Sequence, residues 1–231
     1  MNEMGSAMNI DRIENAIARS RIYALLAMGF RYPDADCFTR LADGTYLEVI
    51  AGALDICAAD SAADLRAGLA AGLQAVDSHE ALEAAYLSGF ETNLPEPSVS
   101  LYEGSHHQQG NKPGLLLELK GFYRTFGLSM AGSENDLEDA LTAELEFMQF
   151  LTAKQVQAEE GALDKIPYLR AQRDFLERHL AVWLPGLQAE AETKLKHPFY
   201  RALTALANSF VAFDTKAVER ELASCDVSRS T

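Results

Sequence analysis

The stretch Ser133–Leu151 reads SENDLEDALTAELEFMQFL, and its pattern decides the fold prediction for this chain. Its first half holds four carboxylates and polar residues that suit a helix start. At about 100° per residue, an α-helix then brings five apolar side chains to one face: Leu137, Leu141, Leu145, Met148 and Leu151. A stripe of this width predicts a helix that packs against a core.

One acid falls inside this apolar face. Glu144 lies between Leu141 and Met148, whereas Glu146 points to the opposite side, where a solvated acid is expected. Burying a bare carboxylate costs several kcal/mol, so Glu144 must be paired, hydrogen-bonded or protonated. One interpretation is a buried structural acid that pairs with a core Arg or Tyr and holds two helices in register. The other is a groove residue that receives a cationic or hydrogen-bonding ligand.

Helical periodicity dominates the rest of the chain, and no run alternates in the manner of a strand. Gly29 and Pro33 end a first helix, and Pro113 begins a strongly apolar one that Gly127 ends. Pro185-Gly186 predicts a break. Pro198 predicts another helix start, followed by a separate short helix over about 215–223. The prediction is an all-α fold: residues 1–231 form a single globular bundle of about ten helices, with frayed termini at 1–9 and 224–231.

A long irregular segment interrupts this pattern at residues 91–112, ETNLPEPSVSLYEGSHHQQGNK. Long loops inside compact domains are usually functional or disordered. The apolar residues within it predict that it packs on the helical body. His106 and His107 are adjacent and have no third ligand nearby, so we predict a solvated loop and no metal site.

Composition narrows the possible partners. The 231 residues carry a net charge of −14, which disfavours nucleic acids and anionic membranes and favours a basic partner. Three cysteines without metal or redox spacing fit a reducing cytosol. The N-terminus lacks a secretory pattern and no apolar run could span a bilayer, so a cytoplasmic protein is expected. No phosphate loop, zinc-protease motif or nucleophile elbow is present.

Three segments together resemble the TorD/DmsD/NarJ group, the maturation chaperones of molybdenum-cofactor enzymes. They are HPFYRAL (His197–Leu203), DLEDALTAELEFM (Asp136–Met148) and PSVSLYEG (Pro97–Gly104). The sequence ELEFM (Glu144–Met148) most resembles the family branch that serves dimethyl-sulfide, selenate, chlorate or ethylbenzene oxidoreductases.

The resemblance implies an all-α, non-enzymatic chaperone that is a monomer or a domain-swapped dimer. Its partner would be the catalytic subunit of a molybdopterin oxidoreductase, bound through the twin-arginine signal peptide until the cofactor is inserted. The resemblance implies no permanent cofactor, and transient binding of the molybdopterin cofactor or a guanine nucleotide.

The acidic motif of the family maps onto Asp136 and Asp139, with Glu138 between them. The family's histidine maps onto Ala140, so any role of that imidazole is in doubt here. The alternative for these three acids is ordinary helix N-terminal charge, which is favourable by about 0.3–1 kcal/mol each.

A twin-arginine peptide has a cationic region followed by an apolar one, so its receptor needs carboxylates beside an apolar groove. We expect an apolar wall and a set of acids on the loop and on the start of the acidic helix: Tyr86, Phe90, Leu94 and Tyr102 for the wall, and Glu103, Asp136, Glu138 and Asp139 for the charge. The alternative is ordinary core and loop packing.

Two further functions stay open at this stage. One is an acidic all-α adaptor that binds another basic amphipathic helix. The other is an all-α enzyme that uses Glu144, Asp139 and His106 as acid and base.

Overall fold

The computed structural model describes residues 2–91, 98–107, 112–129 and 137–229. Within these ranges the chain forms ten α-helices: α1 (Asn2–Phe30), α2 (Ala35–Ala42), α3 (Thr45–Cys57), α4 (Ala59–Leu73), α5 (His79–Tyr86), α6 (Lys112–Thr125), α7 (Leu141–Glu160), α8 (Ile166–Phe175), α9 (Ala181–Lys194) and α10 (Pro198–Arg229). Two π-helical turns follow α5 and α8, at Leu87–Glu91 and Leu176–Leu180. Extended pairing in the described ranges is limited to one bridge, between Tyr102 and Ala140. The predicted all-α fold is confirmed.

The core is organised around α7. Its most extensive contact is with α1, while α10 packs on α4 and α9. One cluster of buried apolar side chains has members in every helix. The predicted apolar face of α7 is fully buried from Leu141 to Leu151, but Leu137 precedes the helix and is 36% exposed.

The contact between α4 and α10 depends on a glycine. A Cβ atom on Gly72 would lie 2.8 Å from the Cβ of Ala202 and 3.1 Å from the carbonyl oxygen of Pro198. The start of α10, which carries the HPFYRAL motif, therefore lies directly against α4. Phe199 and Tyr200 of that motif are buried in the core.

A buried polar network joins four helices, and the sequence pattern did not predict it. Arg19 of α1 forms an ion pair with Asp214 of α10, with Nη2 3.0 Å from Oδ2. Its guanidinium also donates to Gln155 of α7 at 3.2 Å and to Gln172 of α8 at 2.5 Å, and the Tyr23 hydroxyl donates to Asp214 at 2.7 Å. Burial by itself would lower the pKa of Arg19, but Asp214 outweighs burial and raises it. The charged pair thus holds the first and the last helix, α1 and α10, together across the core.

Four predicted boundaries were wrong. Helix α2 was not predicted, although Asp34 caps it by accepting a hydrogen bond from the Cys37 amide at 2.8 Å. Pro185 lies inside α9 and does not break it, because the surrounding side chains are buried and tertiary packing outweighs local preference. Helix α10 runs through 215–223 without interruption. The acidic helix begins at Leu141 and not near Ser133.

Among the described residues, no helix combines the length and the apolar character needed to cross a membrane.

Candidate functional site

A groove of about 570 Å³, here called the main groove, lies where four parts of the chain meet. The end of α1, the first π-helical turn, the 98–107 loop and the start of α7 each contribute to its walls. Its lining residues are Phe30, Arg31, Tyr32, Tyr86, Phe90, Glu91, Leu101, Tyr102, Ala140, Leu141 and Thr142. The groove thus combines aromatic surface with one exposed carboxylate, that of Glu91.

Three of the predicted wall residues come together here. Tyr86 and Phe90 are 6% and 4% exposed and pack edge-to-face at 5.3 Å between ring centroids, so they form the floor of the groove. The Tyr86 hydroxyl donates to the Phe30 carbonyl at 3.2 Å, and Phe90 also packs on Tyr200. Tyr102 is half-buried and forms part of the side. Leu94 lies outside the described residues.

The first π-helical turn brings Phe90 and Glu91 to the groove. Such turns widen a helix locally and are frequent at functional sites. The Gly89 carbonyl accepts a hydrogen bond from the Val99 amide at 3.0 Å, which ties the turn to the following loop. A Cβ atom on Gly89 would lie 2.9 Å from the Leu195 side chain, so the turn packs closely against the residue that follows α9.

The 98–107 loop is fixed to the start of α7 by backbone pairing. The Glu103 amide donates to the Asp139 carbonyl, and the Leu141 amide donates to the Leu101 carbonyl, both at 2.9 Å. These two bonds flank the bridge between Tyr102 and Ala140. The loop and the start of α7 therefore lie side by side.

The structure places Glu103 inside the protein and not on the groove surface. Its carboxylate has no exposed area and lies 3.0 Å from Nδ1 of His179 and 2.8 Å from Nε2 of His107. Burial would raise the pKa of Glu103, but the hydrogen bond and charge of His179, with His107 and Glu144, leave that pKa lowered. Glu103 is therefore an anion that pins the loop to the second π-helical turn.

Asp139 is also fully buried. Its Oδ2 accepts from the Gly104 amide at 3.1 Å and lies 3.6 Å from Nζ of Lys112, while Oδ1 has no hydrogen-bond partner among the described atoms. Glu138 lies nearer the surface, with its carboxylate 3.3 Å from Nζ of Lys120. Both precede α7, so neither is a residue of its first turn. Asp136 lies outside the described residues.

Glu144 is fully buried, in agreement with its place on the apolar face. Its partner is neither Arg nor Tyr: the indole Nε1 of Trp183 donates to Oε2 at 3.0 Å. Burial, and then the negative charge of Glu103, raise the pKa of Glu144 well above its ordinary value. The two neighbouring acids are thereby differentiated, since the pKa of Glu103 is lowered and that of Glu144 is raised.

A second cavity of about 510 Å³ is also lined by residues of α1 and α7. Arg31 lines both cavities, and the second is otherwise lined mainly by α1 and α7 and by the segment after α6. Glu146 lines it beside Phe147 and Phe150, and forms an ion pair with Arg31. The helical pattern had placed Glu146 on a solvated face, and nothing in the sequence indicated that a cavity faces it.

Within the described part of the chain, no group of three or more His, Cys, Asp and Glu side chains could hold a metal ion. Nε2 of His106 lies 2.9 Å from the Ser100 carbonyl, and its ring packs on Trp183 at 5.1 Å between centroids. His107 contacts Glu103. The two histidines thus support the loop.

Comparison with known proteins places this architecture among assembly chaperones. Residues 55–189 match the family model described as the nitrate reductase delta subunit. A relative from Dechloromonas aromatica (strain RCB), the perchlorate reductase assembly chaperone protein, is 50% identical over 91% of this chain and 94% of its own length. The selenate reductase assembly chaperone protein of Thauera selenatis is 33% identical over 78% and 80%. The chlorate reductase assembly chaperone protein of Ideonella dechloratans is 32% identical over the same shares.

These matches confirm the resemblance inferred from the three motifs and favour a chaperone over an enzyme. The chain belongs to the nitrate reductase delta subunit family, the NarJ/TorD-type redox enzyme maturation chaperones.

Proposed function

We propose that this chain is a cytoplasmic assembly chaperone for the catalytic subunit of a molybdopterin oxidoreductase. It binds the subunit before export, holds the twin-arginine signal peptide in the main groove, and releases the subunit after cofactor insertion. The names of the relatives support a client of the perchlorate, selenate or chlorate reductase type.

The observation that carries this proposal is the meeting of Tyr86, Phe90 and Tyr102 in one groove with Glu91 exposed in its wall. Aromatic surface fits the apolar part of a signal peptide, and a carboxylate can take an arginine through two parallel hydrogen bonds. A volume of about 570 Å³ lies within the usual range of ligand sites. The net charge of −14 attracts a cationic segment from a distance.

The buried acids act on the peptide indirectly in this proposal. Glu103 and Asp139 fix the 98–107 loop, which carries Tyr102 into the groove. The carboxylates that meet the peptide are exposed ones, beginning with Glu91. Any contact with the molybdopterin cofactor or a guanine nucleotide is transient and accompanies insertion into the client.

Co-purification of the tagged chain with its client subunit tests the proposal. We expect the full-length subunit to be retained and a subunit without its signal peptide to be lost. Equal retention of both would instead place the binding site on the mature subunit.

A charge reversal in the main groove provides a second test of the proposal. Glu91→Lys places a cation against the arginines of the peptide and should weaken binding about tenfold, or about 1.4 kcal/mol. Glu219→Lys is the matched control, since Glu219 is exposed on α10, does not line the main groove, and gives the same change in net charge. Equal weakening by both variants would show that only long-range charge matters.

A further inference from the structure

The ion pair between Arg31 and Glu146 has an unusual position for a surface salt bridge. Arg31 follows the last residue of α1 and lines both cavities, and Glu146 lines the second one. Their side chains are 61% and 44% exposed. An arginine of the chain itself therefore pairs with a carboxylate of the second cavity, and the same arginine lines the main groove.

We propose that Glu146 is a guanidinium subsite of the peptide-binding surface, and that Arg31 occupies it until an arginine of the client peptide displaces it. The inference rests on the proposed function and deepens it, because it names the carboxylate that receives one arginine. Among the described acids that were predicted for this role, Glu103 and Asp139 are fully buried, and the Glu138 side chain is 16% exposed, compared with 44% for Glu146.

The geometry of the pair favours exchange. In the described structure the contact joins Nη2 of Arg31 to Oε1 of Glu146 and is not the two-bond fork that guanidinium and carboxylate can form. Exposed ion pairs contribute little to stability, so the fold loses little when Arg31 leaves. An incoming arginine that makes both bonds then gains more than Arg31 gives up.

The surroundings of Glu146 fit the residues that accompany such an arginine. Phe147, Phe150 and Leu128 supply apolar surface, and Ala24, Ala27 and Ala143 leave space between α1 and α7. An arginine beside an apolar segment can thus place its charge on Glu146 and its neighbours on the aromatic rings. The freed Arg31 side chain remains long enough to turn toward solvent.

Removing Arg31 tests the inference, because the inference predicts that the variant binds an arginine-containing peptide more tightly. The probe is a labelled synthetic peptide with two adjacent arginines followed by about 12 apolar residues, titrated into the full chain by fluorescence anisotropy. Arg31→Ala should tighten binding about two- to fivefold, whereas Glu146→Gln should weaken it by a similar factor. In the double variant the gain from Arg31→Ala should vanish, because the carboxylate that it unmasks is gone.

Arg66→Ala is the matched control. Arg66 forms an exposed ion pair with Asp55 at 3.0 Å and lines neither cavity, so its loss makes the same change in net charge. If Arg31→Ala binds no more tightly than Arg66→Ala, the subsite is ruled out while the groove proposal stands. If the unmodified chain binds no peptide at all, both proposals fail. Thermal unfolding of every variant confirms that the comparison is made between folded proteins.

Discussion

At the scale of single residues, the most informative feature is the difference between Glu103 and Glu144. Both carboxyl groups are fully buried and they influence each other, yet the pKa of Glu103 is lowered and that of Glu144 is raised. The difference has a cause that can be named: His179 and His107 hydrogen-bond to Glu103, whereas Glu144 has Trp183. Glu103 therefore favours its charged form and anchors the loop, whereas Glu144 favours its neutral form and accepts a hydrogen bond from Trp183.

The substitution Glu144→Gln tests whether the raised pKa of the Glu144 carboxyl group makes stability depend on pH. Because the folded pKa is raised, the stabilisation from this group is complete below about pH 4.5, its ordinary value, and is lost as the pH rises toward the folded pKa. The amide cannot ionise and still accepts from Trp183. We expect the free energy of unfolding of the unmodified chain, relative to the variant, to fall as the pH rises above about 4.5. Denaturant titrations across this range measure it, and a constant difference would show that Glu144 keeps one protonation state throughout.

The buried pair of Arg19 and Asp214 gives the largest stability prediction for a single residue. Arg19→Met leaves Asp214 buried without its charged partner, and breaking such a pair costs about 3–5 kcal/mol. Arg66→Ala breaks an exposed pair and should cost less than about 1 kcal/mol. Urea unfolding compares the two variants. Similar losses in both would mean that the network in the core contributes no more than a surface contact.

At the scale of elements, two buried carboxylates hold the 98–107 loop, and Glu103 is the one that joins it to another helix. Glu103 joins it to His179 in the second π-helical turn, and two backbone hydrogen bonds join it to the start of α7. Glu103→Gln removes the charge from this anchor. We expect faster hydrogen exchange at the amides of Glu103 and Leu141, which make those two bonds, and weaker client binding.

Glu146→Gln is the control for the loop, since it removes a carboxylate from the same region without touching the anchor. Its loop amides should exchange at the unmodified rate. The lowered pKa of Glu103 also sets the direction of a pH effect: the anchor holds above the ordinary pKa of about 4.5 and is lost as the pH falls through the lower folded value. Unchanged exchange in Glu103→Gln would show that the backbone pairing and the Asp139 contact hold the loop without the charge of Glu103.

The helices show which features of the fold can be predicted from patterns in the sequence. The apolar face of α7 and the end of α6 near Gly127, where φ is +74°, follow from local rules of periodicity and capping. The helix break predicted at Pro185 was wrong, because local rules do not include the burial of Trp183 and its neighbours. Arg19 and Asp214 are 195 positions apart, so no local pattern could pair them.

The groove was predictable only in part, for the same reason. Tyr86, Phe90 and Tyr102 line one groove in the structure, and their role in binding a peptide stays a prediction. The positions of the acids were harder to predict, because the sequence does not distinguish a carboxylate that faces solvent from one that faces a buried histidine. Glu103 and Asp139 face inward, while Glu91 and Glu146 line the cavities.

At the scale of the whole molecule, an acidic helical body carries two cavities that are lined by aromatic side chains and by Glu91 and Glu146. Steering by a net charge of −14 weakens at high ionic strength, whereas contacts in the groove are screened less. We expect the association rate with the client to fall as salt is raised, with a smaller change in the dissociation rate. Stopped-flow binding at several salt concentrations measures both, and a salt-independent association rate would show that the charge plays no part in recognition.

Site-specific photo-crosslinking tests the central claim most directly. A photoreactive phenylalanine derivative in place of Tyr102 lies in the wall of the main groove, and the same group in place of Leu163, which is 71% exposed and outside both cavities, serves as the control. After irradiation of the complex with the full-length client, we predict crosslinks from position 102 to the client's N-terminal signal peptide and none from position 163. Crosslinks from position 102 to the mature subunit alone would contradict the account.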